Sequence, residues 1–359
     1  MPTRFSYTRL SPKPLSPRRL RLGGLFAGTC LSLIALAPVS AQAQSYTLTD
    51  LGTLGGNFSV GLGVNASGQV VGLSTRASGD DHAFLSGPNG GTLKDLGTLG
   101  GTTSYGGGVN ASGQVAGNSD TVSGVRHAFL SGPNGAALTA ANDLGTLGGT
   151  TSAGYGVNAS GQVVGFSTTA GGDNHAFLSG PNGGTLKDLG TLGGTSSDGQ
   201  GVNASGQVVG FSTTASGPNH AFLSAPNGAP LTAANDLGTL GGVTSIGEGV
   251  NASGQVVGDS TTAGGVYHAF LFSNGVLTDL NTLIAPGSGF TLESAYGISD
   301  TGFITGFGTN SSGQQDAFLL RPNAPVPEAS SVVSLGLLLV LGMGGLVVAA
   351  RRKKVGASL

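Results

Sequence analysis

Charge is scarce in this chain: only 9% of its 359 residues are Asp, Glu, Lys or Arg, against roughly a quarter in an average globular protein. A nucleic-acid binder needs Lys and Arg for the phosphates, so that class is excluded. There is one cysteine, Cys30, which excludes a disulfide framework and a Cys-rich zinc site. Tryptophan is absent and aromatics are 6%. Glycine is the reverse case, at 68 residues, but without the Gly-x-y period of collagen.

The formal net charge of −2 hides an asymmetry. Residues 1–43 carry six basic residues, from Arg4 to Arg21, and no acid. An apolar run from Leu25 to Val39 follows and ends in Ala41-Gln42-Ala43. A basic stretch, a short apolar core and a small-x-small site define a secretory signal peptide over 1–43, cleaved between Ala43 and Gln44. Cys30 lies inside the apolar run rather than after it, so lipidation at Cys30 is not expected.

The other end reads Val326-Pro327-Glu328-Ala329-Ser330, then an uncharged apolar run from Val332 to Ala350, then Arg351-Arg352-Lys353-Lys354. Those 19 apolar residues approach the roughly 20 that span a bilayer as a helix. The basic cluster places the tail, 351–359, on the cytoplasmic side. Residues 323–331 form a linker. This tail resembles the PEP-CTERM sorting signal of Gram-negative bacteria, with Ala329 in place of the second proline of its motif. The resemblance implies an exosortase-like processing enzyme as partner, with the scissile region near Pro327-Glu328. It also implies an exopolysaccharide setting. The expected location is the cell envelope or the outside, with transient anchoring in the inner membrane through the C-terminal helix.

Between the ends, Asp-Leu-Gly-Thr-Leu-Gly-Gly starts at Asp50, Asp95, Asp143, Asp188 and Asp236, and a degraded copy starts at Asp279. The spacings are 45, 48, 45, 48 and 43, a period that belongs to solenoids, propellers or arrays. The alternation arises from a loop that is Gly91-Thr92-Leu93-Lys94 in one type. In the other it runs from Ala136 to Asn142. Each repeat also carries Gly-Val-Asn-Ala-Ser-Gly-Gln-Val, a Val-Gly or Ala-Gly step, and His-Ala-Phe-Leu, for instance at Asn158, Gly165 and His175. The sixth copy diverges to Ser299-Asp300-Thr301-Gly302 and Asp316-Ala317-Phe318-Leu319.

Asn-Ala-Ser-Gly is a turn, because Asn bonds its own backbone and Gly supplies a positive φ. Close apolar flanks make it a hairpin. Gly-Pro-Asn-Gly makes the next turn and Leu-x-Asp-Leu returns. Four short antiparallel strands in about 45 residues are the size of a propeller blade. A parallel β-helix would need crossovers in place of tight turns, and regularly placed Val, Phe and Leu oppose disorder. The chain opens with a lone fourth strand, Tyr46–Gly52, and closes with only three strands, about Ala295–Arg321. The expectation is therefore an all-β fold over 44–322: a six-bladed β-propeller of four-stranded antiparallel blades, closed by the N-terminal strand, which removes the exposed sheet edges. One C-terminal transmembrane helix over 332–350 follows. The repeats resemble the HAF family of bacterial extracellular proteins, which implies export and assigns no catalytic site.

Every histidine opens a His-Ala-Phe. One per blade is too dispersed for a metal, whose ligands must lie about 2 Å away, so a hydrogen-bonded structural role is expected. Period-2 alternation puts His and Phe on one strand face, against the next blade. Lone repeated aspartates are not a calcium loop. No phosphate loop is present, and there is no nucleophile elbow. No catalytic residue, cofactor or metal site is assigned. From 45 to 322 there are five basic residues against sixteen acidic ones, a net −11. That balance disfavours anionic partners.

Nearly identical repeats expose their differences. Two residues before the constant Val, the series runs Leu62, Gly107, Tyr155, Gln200, Glu248, Tyr296. On an innermost strand, Tyr155 and Tyr296 would stack on a sugar that Gln200 and Glu248 hydrogen-bond. The function expected is a non-enzymatic cell-surface or matrix protein that binds a polysaccharide or protein partner. The alternatives are a glycan-active lyase or hydrolase, which needs two carboxylates about 5–10 Å apart, and a ligand-free structural surface protein.

Overall fold

The computed structural model describes residues 48–322. They form 21 strands in six antiparallel sheets. The first sheet is β1 (Gly55–Val64), β2 (Val70–Arg76), β3 (Asp81–Gly87) and β4 (Gly91–Asp95). The second is β5 (Gly100–Val109), β6 (Val115–Thr121) and β7 (Arg126–Leu130). The third is β8 (Gly148–Val157), β9 (Val163–Thr169), β10 (Asn174–Gly180) and β11 (Gly184–Asp188). The fourth is β12 (Gly193–Val202), β13 (Val208–Thr214) and β14 (Asn219–Leu223). The fifth is β15 (Gly241–Val250), β16 (Val256–Thr262), β17 (Tyr267–Ser273) and β18 (Val276–Asp279). The sixth is β19 (Phe290–Ile298), β20 (Ile304–Asn310) and β21 (Gln315–Leu320).

The turn chemistry read from sequence is present. Asn158 Oδ1 accepts from the amides of Ser160 and Gln162, and Gly161 has φ +70°. The glycine of the Val-Gly step is required by contact: a Cβ on Gly210 would collide with the Asp198 carbonyl oxygen. Three sheets have three strands, not the expected four. In the second and fourth, the longer loop ends in a short 3-10 turn (Ala140–Asn142, Ala233–Asn235), and the fourth strand shrinks to one bridge, Phe129–Asp143 or Phe222–Asp236. Asn142 Nδ2 donates to the Leu130 carbonyl, substituting a side chain for ladder pairing.

From β5 on, each first strand lies across the three leading strands of the sheet before it. Five apolar cores fill the spaces between the six sheets. In His-Ala-Phe-Leu, Ala and Leu face the following sheet while Phe faces the preceding one. Thus Ala176 and Leu178 of the third sheet pack with Phe222 of the fourth. This corrects the expectation that the His and Phe face meets the next blade.

Polar side chains lock these junctions. Each Asn-Ala-Ser asparagine donates its Nδ2 to the backbone carbonyl at the same position of the next repeat. The ladder runs Asn65, Asn110, Asn158, Asn203, Asn251 and Ser299, at 3.0–3.2 Å. At four junctions a buried serine of the next first strand accepts the alanine N–H of His-Ala-Phe. Ser104, for example, accepts from Ala83 at 2.9 Å and donates to the Gly97 carbonyl at 2.6 Å.

In place of the expected ring, no closure is found among the described residues. No pairing or bridge joins β21 to the N-terminal segment among the described residues. That segment packs on the first sheet, with Leu51 and Thr49 beside Gly90, as Leu96 packs beside Gly135 at the next link. Closure would set Asp316, at the histidine position, opposite Asp50. It would also ask Ser299, which has no side-chain amide, to continue the ladder. The signal peptide with Ala41, Ala43 and Gln44 lies outside the described residues. So do the sorting motif Val326-Pro327-Glu328, the 332–350 span, and Arg351 and Arg352. Among the described residues no helix is long and apolar enough to cross a membrane.

Candidate functional site

The five histidines are tied down. His82 Nδ1 lies 2.7 Å from Asp95, His127 2.8 Å from Asp143, His175 2.9 Å from Asp188, His220 2.8 Å from Asp236 and His268 2.6 Å from Asp279. Period-2 side-chain direction places each histidine over the returning fourth segment. The first four aspartates also accept the N–H of the glycine two residues on, as Asp95 does from Gly97 at 2.8 Å. Asp279 accepts from Asn281 in the same way. One carboxylate thus fixes a turn and a histidine together. Among the described residues, no group of three or more His, Cys, Asp or Glu is placed to hold a metal ion.

The divergent positions have a structural definition. Each first strand carries a β-bulge, and its extra residue is the one between two ladder-paired neighbours. In the third sheet Gly154 pairs with Gly165 and Gly156 with Val164, leaving Tyr155 unpaired. The bulged residues of the six sheets are Leu62, Gly107, Tyr155, Gln200, Glu248 and Tyr296. A bulge frees a residue from the ladder and re-aims its side chain. In the second to fifth sheets the residue just before it is a glycine lying tight against the preceding sheet: a Cβ on Gly199 would press on Val164. The backbone of this position is therefore constant while its side chain is free to vary.

Two more divergent positions join it. One lies two residues earlier: Val60, Tyr105, Ala153, Asp198, Ile246 and Ser294. The other is its cross-strand partner: Leu73, Asn118, Phe166, Phe211, Asp259 and Phe307. Together they form a stripe across the array. Arg126 sits 5.1 Å over the Tyr105 ring. The Tyr155 and Phe166 ring centroids are 6.1 Å apart, and those of Tyr296 and Phe307 5.8 Å. Ser294 Oγ donates to Asp259 Oδ1 at 3.1 Å.

The middle of the stripe is a chain of coupled acids. Burial, then the charge of Glu248, pushes the Asp198 carboxyl up to about 7. Burial, then Asp259, raises Glu248. Burial raises Asp259 against the lowering bond from Ser294. Burial and the Asp198 charge raise the Tyr155 phenol. Asp198 Oδ1 is buried with no hydrogen-bond partner in the protein, and so is Asn118 Oδ1. Near neutrality Asp198 exchanges its proton, whereas the phenol of Tyr155 stays a donor.

Of the four residues proposed from sequence, Tyr155 and Glu248 are each linked to Asp198 by charge: Asp198 raises the Tyr155 phenol and Glu248 raises Asp198. Gln200 stands two residues after Asp198 on β12, at the fourth bulge. Tyr296 is 56% exposed at the far end, against Phe307. Asp259 was missed because it lies on the second strand. Its signal was the variation Leu73, Asn118, Phe166, Phe211, Asp259, Phe307 at one register. Two open clefts of about 520 and 700 Å3 lie elsewhere, beside the sixth-repeat loop that contains Ile284 and Ala285.

No family model matches the chain, and no curated relative matches it by sequence. Among solved structures, it is similar to TolB from Acinetobacter baumannii at 13% identity and a TM-score of 0.41, covering 60% of this chain. It spans about half, 52%, of that TolB chain. It is also similar to the Aleuria aurantia lectin, described as a six-bladed β-propeller with a novel fucose recognition mode. The identity there is 13% and the TM-score 0.32, covering 72% of this chain and 89% of the lectin.

Proposed function

We propose that this protein is an exported cell-surface or matrix component that binds a polysaccharide through the stripe on its bulged first strands, without chemistry. We read its six sheets as propeller-type blades in an open array. One observation carries the binding role: repeats that are otherwise almost identical diverge at the residue each bulge frees from the ladder. The exposed turn ahead of each histidine also varies, from Asp80-Asp81 to Val266-Tyr267, but constraint is weakest there, whereas variation inside a paired strand is what a binding role accounts for. Tyrosine faces beside carboxylates suit a neutral or cationic sugar, stacked on one side and hydrogen-bonded at its edge. The net charge of the array disfavours an anionic one.

Delivery follows from the chain ends: a signal peptide opens the way out, and an exosortase-like enzyme processes the tail near Pro327-Glu328. Mass spectrometry of the terminal peptides, by cell fraction, tests this. An intact tail through Leu359 on membrane-bound protein overturns it. For binding, Tyr155→Ala with Tyr296→Ala is expected to weaken retention on the host's own exopolysaccharide at least about tenfold, since each stacked ring is worth roughly 1 kcal/mol. Unchanged retention overturns the stripe as the site.

A second reading is favoured by one observation, the carboxyl of Asp198 held near neutral beside Glu248. A glycan-cleaving enzyme needs one carboxyl that holds a proton near neutrality and a second about 5–10 Å from it. Release of reducing ends from the same exopolysaccharide would establish it, and binding without release would leave the non-enzymatic reading standing.

A further inference from the structure

The two ends of the array are the halves of one more junction. The segment Thr49–Leu54 already holds the conformation of the internal links. Gly52 N–H donates to Asp50 Oδ1 at 3.0 Å, as Gly97 does to Asp95. Ser59 Oγ donates to the Gly52 carbonyl at 2.8 Å, as Ser104 does to Gly97. Leu54 bridges Arg76 in parallel, as Leu99 bridges Thr121. What this head lacks is a preceding sheet. Val64, whose equivalents pack into the cores, is 66% exposed. At four internal junctions the serine equivalent to Ser59 accepts an alanine N–H from the sheet before.

The tail lacks a following sheet. Ala83, Ala128, Ala176, Ala221 and Ala269 are fully buried, whereas Ala317 is exposed. Leu319 is 55% exposed, against 2% for Leu85. The outer edge of β21 has no fourth strand, while Asp50-Leu51 is a fourth-strand sequence with no third strand beside it.

We propose that copies of this chain join head to tail: Thr49–Leu51 of one copy adds to β21 of another where the fourth strand would lie, and Ser59 accepts the Ala317 N–H across the junction. The occupant is a second copy because the contact continues, between chains, an interface each chain already repeats within itself. A heterologous contact of this kind propagates into filaments unless its rotation closes. Two junction contacts are missing. Ser299 cannot extend the asparagine ladder, and Asp316 replaces the histidine that would face Asp50. Thr305 stands where earlier sheets have Val or Ala, with its hydroxyl already donated to the Phe318 carbonyl at 3.0 Å. The association is therefore weaker than an internal junction, and Asp316 limits it.

Sedimentation of the full chain in mild detergent, across a wide concentration range, tests this. The natural chain is expected to associate reversibly. Asp316→His restores the pair seen five times within the chain and should tighten association about tenfold. Ala317→Pro, tolerated on an edge strand, removes the donor and should leave single chains. It should also abolish the gain of Asp316→His when the two are combined. Single-chain mass for both the natural chain and Asp316→His overturns the proposal. So does association that Ala317→Pro leaves unchanged, which would belong to the apolar C-terminal segment.

Discussion

The aspartates that hold the histidines and the acids of the central stripe are alike in kind and opposite in setting. Asp279 is partly buried, which alone would raise its carboxyl. Hydrogen bonds from His268 and from the backbone and side chain of Asn281 more than offset that and hold it below the usual range. Asp198 has burial without bonds, and its carboxyl rises to about 7. The two therefore load stability with opposite signs. Asp279 contributes stability that is present above its unfolded-state value and lost as pH falls. The ionisation of Asp198 opposes folding, with no penalty below about 4, a penalty that grows to about pH 7, and a constant one above. The recurrent aspartate is spent on structure, whereas Asp198, at a position that differs between repeats, is left without a partner.

The constant side of that contrast breaks most severely at the asparagine ladder. Asn158 is buried. Its Oδ1 accepts two amides, and its Nδ2 donates to Gln162 Oε1 and to the Asn203 carbonyl. Asn158→Ala strands the turn amides and the next repeat's carbonyl and is expected to cost about 2–4 kcal/mol, read as a lower denaturant midpoint. The side-chain nitrogens of all five Asn-Ala-Ser asparagines are spent in this way.

The divergent side responds in the opposite direction. Asp198→Asn removes a carboxylate that burial and Glu248 disfavour. The variant is expected to be more stable than the natural chain by about 1–2 kcal/mol at pH 8 and about equal to it at pH 4. Thermal melts at the two pH values decide it. A variant less stable at pH 8 would mean that the buried carboxylate has a partner the contrast denies it.

Much of this was legible in the sequence because the repeats act as their own controls. Turn glycines and asparagines, the strand order within each sheet, the buried Phe and the structural role of histidine all follow from local chemistry repeated five or six times. Ring closure did not follow. It depends on whether Asp316 meets Asp50 and whether Ser299 extends the ladder, and both are single substitutions in one degraded copy. The stripe was half legible. The series through Tyr155 and Glu248 could be read along one strand, but Asp259 joins it only through cross-strand register, which no single repeat displays. The bulge that explains the variation was invisible, because Gly-x-Gly reads equally as regular strand.

The smallest effect is expected at the histidine–aspartate pairs, the most visible of the repeated contacts. His175 and Asp188 are both partly exposed. Solvent competes for them, and an exposed pair contributes only about 0.2–1 kcal/mol. Asp188 also accepts the Gly190 N–H at 2.7 Å and so anchors the turn that starts the next first strand. His175→Ala removes the first contact and leaves the second, so a loss of about 0.5–1 kcal/mol is expected. Asp188→Ala removes both and should cost about twice as much. Equal losses in urea unfolding would show that the histidine carries the whole contribution. A larger loss from His175→Ala would place these pairs beside the asparagine ladder as principal locks of the junctions.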